Sequence, residues 1–209
     1  MRFVTLGLLT FVALVATVPA LAGKFNKTLS PGSIAPEWKD LPGIDGNKHS
    51  SSDLKDKEVI VVVFTCNSCD YAVGYEDRLA ELSKTLAANK KCALVAICPN
   101  PAKIQGDSLE ELAAKAKEKG FDFPYLQDES QAVSKAFGAI RTPEFFVLNK
   151  ERKVVYMGSL DDSPEGTDIS KTYVADAIAA TLAGKKPAVE ETAPVGCLIR
   201  TVRVRRTDK

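Results

Sequence analysis

Histidine occurs once in 209 residues, as His49, and no second C-x-x-C accompanies the one formed by Cys66 and Cys69. Those scarcities argue against zinc, because a metal held by Cys66 and Cys69 needs two more ligands of the same kinds. An excess of charge of one sign is also missing: 28 Lys and Arg face 27 Asp and Glu, a formal net charge of +1. A near-neutral chain offers no global attraction for nucleic acid or an acidic membrane surface. There is no internal repeat. No loop has EF-type ligand spacing, so the adjacent carboxylates Asp161 and Asp162 read as part of a solvated acidic loop rather than a cation site.

What is present begins with Met1-Arg2, an almost wholly apolar stretch from Phe3 to Val18, and an A-x-A ending at Ala22. This pattern predicts a secretory signal peptide cut after Ala22, and a periplasmic or secreted mature protein. As a membrane anchor the run is short and lacks a stop-transfer flank, so the only membrane contact expected is through the signal peptide. The expected organisation is a signal over 1–22, one domain over 23–184 and a tail over 185–209. Export implies an oxidising compartment, and with five cysteines at least one thiol is left free or intermolecular.

Val59 to Phe64 is a β-branched run, apolar on both faces, as a strand in the middle of a sheet requires. From Ala72 the apolar residues change spacing to Ala72, Tyr75, Leu79, Leu82 and Leu86, one stripe of a helix. Cys66 and Cys69 lie at the joint. A thiolate at a helix start is stabilised by unpaired N–H groups and the positive end of the dipole, and Cys66 is placed to receive that effect. The i, i+3 spacing sets Cys69 where it can attack a mixed disulfide formed on Cys66. A structural disulfide remains the alternative to a redox pair.

Cys92 to Cys98 predicts a second buried strand, parallel to the first by a right-handed crossover. Cys98 then ends at the same sheet edge as Cys66, as a third thiol or as a small buried hydrophobe; Cys92 reads as packing. Ser108 caps a helix reaching about Lys119, closed by Gly120. Phe121 to Leu126, with Pro124, reads as an edge strand, and Asp128 to Ser130 as the cap of a short helix. Phe145 to Leu148 and Lys153 to Met157 form an antiparallel hairpin, entered through Thr142-Pro143. On sequence alone that bond is read as trans, which merely starts the strand; a cis bond leaves backbone free to hold an extended peptide. A last helix runs from Tyr173 to Leu182. Lys185 to Pro194 reads as linker, and the end carries Cys197 and a run of arginines expected to be solvated.

In this order of elements the chain resembles the thioredoxin fold over roughly Ile34 to Leu182: an α/β domain with a central mixed sheet flanked by helices, an N-terminal arm and a C-terminal extension. Gly32-Ser-Ile-Ala-Pro36, Phe64-Thr-Cys-Asn-Ser-Cys69, Tyr75-Glu-Asp-Arg78, Phe123-Pro-Tyr-Leu126, Thr142-Pro-Glu-Phe-Phe146, Asp161-Asp162 and Val195-Gly-Cys197 are similar to the redoxin branch, of AhpC/TSA type, that includes peroxiredoxin-like bacterial proteins. The resemblance implies that Cys66 attacks, that Cys69 resolves, and that Pro143 is cis and faces the pair. It implies a partner site at Thr65, Thr142 and Pro143, with no cofactor and no metal. Three departures stand out. A peroxiredoxin Pro-x-x-x-Thr-x-x-Cys loop would need Thr at Cys66 and Pro at Val62, although Arg141 lies about where such enzymes carry an arginine. The strand before the motif has no buried acid, which leaves proton handling to water, Glu76 or another group. Asp70 stands where many relatives have proline, and its carboxylate opposes a thiolate.

The expected activity is thiol–disulfide exchange with protein or small-molecule thiols and disulfides through Cys66 and Cys69. A thiol peroxidase and a non-catalytic binding module with a permanent staple remain open. Cys98, Cys197, Arg141 and Glu76 are auxiliary candidates, Cys197 because a tail thiol can reach the pair or link two chains.

Overall fold

The computed structural model describes residues 22–201; the expected signal sequence up to residue 21 and the Val/Arg run over 202–209 lie outside the described residues. In chain order the strands are β1 (Leu41–Pro42), β2 (Lys48–His49), β3 (Val59–Phe64), β4 (Cys92–Cys98), β5 (Tyr125–Gln127), β6 (Arg141–Thr142), β7 (Glu144–Leu148), β8 (Val154–Gly158) and β9 (Cys197–Leu198). The α-helices are α1 (Asp70–Gly74), α2 (Glu76–Ala87), α3 (Leu109–Lys119), α4 (Ala132–Phe137) and α5 (Tyr173–Leu182). Five strands form the central sheet in the order β5-β4-β3-β7-β8. β3 pairs parallel with β4, β4 parallel with β5, and β7 antiparallel with both β3 and β8. The parallel crossover, the edge position of β5 and the β7–β8 hairpin all match the sequence expectation.

Alternation along β3 divides the core between the two faces. Val59, Val61 and Val63 join Leu94, Ala96, Phe145 and Val147 beneath Tyr75, Leu79, Leu112 and Val174 of the helical layer. Ile60, Val62 and Phe64 face the other way, where Phe137 of α4 and Leu29 and Trp38 of the N-terminal arm cover them. The rings of Phe64, Phe137 and Phe146 meet edge to face, with centroids 5.1 to 5.8 Å apart. Since every residue of β3 is buried, the strand is fixed from both sides. Its last residue, Phe64, delivers the C-x-x-C turn at a determined place.

Two expectations need correcting. The helix after the motif is broken at Tyr75 into α1 and α2, where the amphipathic stripe predicted one element. The segment expected to be linker runs instead beside β8: the Met157 amide donates to Glu190, the Thr192 amide donates to Met157, and an isolated parallel bridge joins Met157 to Glu191. Glu191 then accepts the backbone N–H groups of Lys24, Phe25 and Asn26, so the start and end of the domain meet there. The chain after Pro194 carries on to β9, which pairs antiparallel with β6.

Candidate active site

Thr65 leaves β3 with its amide still bonded to the Ile97 carbonyl at 3.0 Å, so the turn that follows starts from the ordered sheet edge. Asn67 and Ser68 form that turn, and Asp107 fastens it. The Asp107 carboxylate is fully buried and accepts the amides of Asn67 (2.9 Å) and Ser68 (3.1 Å), the Ser68 hydroxyl (2.5 Å) and the Asn100 side-chain amide (2.8 Å). No motif or spacing in the sequence singles out Asp107. Its one local signal was its place beside Ser108, which does cap α3 as expected.

The residue that caps α1 is Cys69, whose extended backbone precedes Asp70 and whose sulfur accepts the Ala72 amide at 3.5 Å. Cys66 lies three residues before that cap, in the joint where the sequence places it, but the capping amide reaches Cys69, which corrects the expectation that Cys66 receives the helix-start effect. Both residues are buried, at 3% and 2% exposure. The Cys66 sulfur meets the Thr142 hydroxyl at 3.3 Å and the Ser68 hydroxyl at 3.8 Å, and the Cys69 thiol donates to the Thr142 carbonyl at 3.0 Å. Thr142-Pro143 is cis, as the resemblance implied and the bare sequence did not. One residue of that corner therefore touches both sulfurs.

The two sulfurs differ in how they hold charge. The Cys66 thiol beside Cys69, the Ala72 amide and the Thr142 side push the Cys69 thiol down, against the opposing effect of burial. Cys66 goes the other way: its neighbour Cys69 and its own burial raise it, and the Asp107 carboxylate adds to the rise. The two thiols therefore ionise as one interacting pair, with loss of the first proton favoured at Cys69 by its neighbour Cys66 and opposed by the Thr142 carbonyl to which Cys69 donates. The opposing carboxylate is Asp107, not the adjacent Asp70 to which the sequence points.

The auxiliary candidates fall into two groups. Cys98 is fully buried at the end of β4, burial pushes its thiol far up, and Cys92 is likewise buried and raised. Both are packing residues in this geometry. Glu76 is occupied by Lys119 at 3.3 Å and Lys115 at 3.8 Å, on the side of α3. Arg141 directs its Nη1 to the Gly196 carbonyl at 2.5 Å, which ties it to the tail. Cys197 does reach the site: it is half-buried, packs against the cluster that holds Cys66 and Cys69, and its thiol is pushed up by burial and by the Cys69 sulfur beside it. The expectation of a solvated acidic loop is corrected at Asp161, which is buried. Asp161 is bonded to Arg78, which lies over the Tyr75 ring, and Asp162 accepts from Ser170 and Lys171.

An acid that sequence reasoning missed follows the cis-proline. Glu144 is buried at the start of β7, accepts the amides of Ile140 and Arg141 at 2.9 and 3.2 Å, and is pushed up to about 7 by burial.

Comparison with known proteins agrees with this architecture. The AhpC/TSA family profile matches residues 31–157. A hypothetical protein from Sinorhizobium meliloti 1021 is 34% identical with a TM-score of 0.77, over 83% of this chain and 96% of its own. The peroxidoxin BcpB of Mycobacterium tuberculosis is 22% identical with a TM-score of 0.56, over 74% of this chain and 96% of its own. The thioredoxin domain of a thiol-disulfide oxidoreductase from Bacteroides vulgatus is 18% identical with a TM-score of 0.53, over 66% of this chain and 95% of its own. A search of curated proteins returns no match. The last two likenesses speak for the fold alone, and the family follows from the profile and the Sinorhizobium relative: built on a thioredoxin fold, this chain belongs to the AhpC/TSA family.

Proposed function

We propose that the protein is an exported thiol–disulfide oxidoreductase that exchanges disulfides with a partner protein or small thiol through Cys66 and Cys69. The observation that carries this reading is the contact of both sulfurs with Thr142 beside cis-Pro143, since exchange needs two thiols in mutual reach. One sulfur attacks the partner disulfide and expels a partner thiolate; the second attacks the mixed disulfide and leaves a Cys66–Cys69 bond. Reversal oxidises a dithiol. Export rests on the N-terminal pattern, with cleavage after Ala22; packing from Gly23, whose amide donates to Leu29, suits a mature chain starting there.

The test measures reduction of oxidised glutathione with a dithiol regenerating the enzyme, alongside peroxide consumption, for the wild type, Cys66→Ser and Cys69→Ser. Exchange activity is expected to fall on the order of a hundredfold or more in each variant, because the two sulfurs act as a unit. Catalytic consumption of peroxide would assign thiol peroxidase chemistry instead. Lack of either activity in the wild type would leave the pair a staple.

A further inference from the structure

Resting on the thiol–disulfide reading of the pair, we propose that Cys197 is a third redox cysteine, carried by the tail into the place of a partner peptide and exchanging with the pair to form a Cys69–Cys197 disulfide. The backbone at Arg141 and Thr142, next to the sulfurs, is the edge an extended partner would use. It is already taken. β9 lies antiparallel on β6 with Cys197 opposite Thr142 and Leu198 opposite Arg141. Gly196 is pressed on the Thr142 carbonyl so closely that a Cβ there would overlap it. The amide of Ile199 donates to Ile140 at 3.0 Å, and that of Arg200 donates to the Asn100 side chain at 2.8 Å. The Arg200 guanidinium reaches the carbonyl of Ser68, inside the C-x-x-C turn, at 3.1 Å.

These contacts fix the register of the tail, and since Cys197 lies opposite Thr142, whose carbonyl accepts the Cys69 thiol, that register sets Cys197 beside Cys69. Cys69 is therefore the middle sulfur of three, with Cys66 on one side and Cys197 on the other. From a Cys66–Cys69 disulfide, itself formed when a partner disulfide is reduced, the deprotonated Cys197 sulfur attacks Cys69. The Cys66–Cys69 bond breaks, the Cys69–Cys197 bond forms, and Cys66 leaves as a thiolate that takes up the proton given up by Cys197. One disulfide is present before and after, and no external electrons are needed. The exchange frees Cys66 and fastens the tail over the partner edge until a reducing dithiol attacks.

The experiment equilibrates the full chain with a defined mixture of reduced and oxidised glutathione and maps disulfides by mass spectrometry of non-reduced peptides. Wild type, Cys66→Ser and Cys197→Ala are compared. A Cys69–Cys197 link within the monomer is expected in Cys66→Ser and in part of the wild type, and Cys197→Ala should hold about twofold more Cys66–Cys69 disulfide at the same glutathione ratio. Wild type carrying only Cys66–Cys69, with Cys69 of Cys66→Ser found glutathionylated or Cys197 linking two chains, overturns the proposal. Because wild type is mapped as well, misfolding of a variant does not hide the answer. Failure of Cys197→Ala to form any Cys66–Cys69 disulfide is a different result: it removes the exchange reading of the pair, and this inference with it.

Discussion

Asp107 divides the labour between the two sulfurs at the level of single residues. By accepting the Asn67 and Ser68 amides, it takes donors that a bare C-x-x-C turn holds near its first cysteine, and it sets a carboxylate beside Cys66. The prediction is attack from Cys69, the sulfur whose thiol is pushed down. With Cys197 also replaced by Ala, so that no tail thiol can resolve it, Cys66→Ser is expected to accumulate a mixed disulfide with thionitrobenzoate on Cys69, and Cys69→Ser to form little; the reverse pattern returns the attack to Cys66, as the family resemblance implies. Asp107→Asn should lower the pH at which Cys66 becomes reactive to iodoacetamide while costing about 1–3 kcal/mol, since an amide cannot accept every donor the carboxylate satisfies. Glu144 gives a test by pH. Its folded value of about 7 stands above the ordinary 4.5 of a glutamate, so between those values the folded state holds a proton that the unfolded chain has lost, and stability falls as pH rises through that window. Glu144→Gln should unfold like the wild type near pH 4 and be more stable at pH 8, by up to about 3 kcal/mol; thermal melts at the two pH values would show it, and equal shifts at both would remove the titration from the account. The cysteines are legible because their spacing carries chemistry, and Thr142 and Pro143 only through the family resemblance. Asp107 is not, because its partners lie about 40 residues away and only the folded turn unites them.

At the scale of elements, β3, β4, the β7–β8 hairpin and α3 announce themselves through period and caps, whereas β9 is two residues long with no period to read. A strand so short is specified by its partner, and the partner here is the backbone before a cis-proline on another part of the chain. The sequence sign was Val195-Gly-Cys197, noted as a family-like motif but without a place. Gly196 is the residue that makes the pairing sterically possible. Gly196→Ala should push the tail from β6, because the added methyl meets the Thr142 carbonyl, which belongs to the backbone and has little room to give. The expected readings are faster amide exchange at Ile199 and Arg200, faster alkylation of Cys69, and a loss of about 1–3 kcal/mol in stability. Unchanged exchange at Ile199 would mean that the tail accommodates a side chain there, and the close approach would lose its meaning.

Across the whole molecule, the sheet gives two covered faces and the two terminal segments decide how they are finished. The alternation in β3 makes both faces predictable, and the aperiodic stretch from Lys24 to Trp38 reads as an arm lying across the domain; which face it covers, through Leu29, Ala35 and Trp38, is not legible, because a stretch without period carries no face. Glu191 joins these distant ends. Its carboxylate takes three successive amides of the arm, while its own backbone lies along β8 on the way to Cys197. Three charge-assisted bonds at a partly exposed place amount to about 2 kcal/mol after solvent competition, which in a domain of this size is roughly 4–8 °C in Tm. Glu191→Ala should lower the melting temperature by that amount and speed amide exchange at Lys24, Phe25 and Asn26, with β3 unaffected below the global transition. If the arm and tail act as one unit, the same substitution also raises exchange at Thr192 and Ile199, carrying the disturbance from the N-terminal arm to the strand that presents Cys197. Fast exchange confined to the arm would separate the two, and the tail would then owe its position to β6 alone.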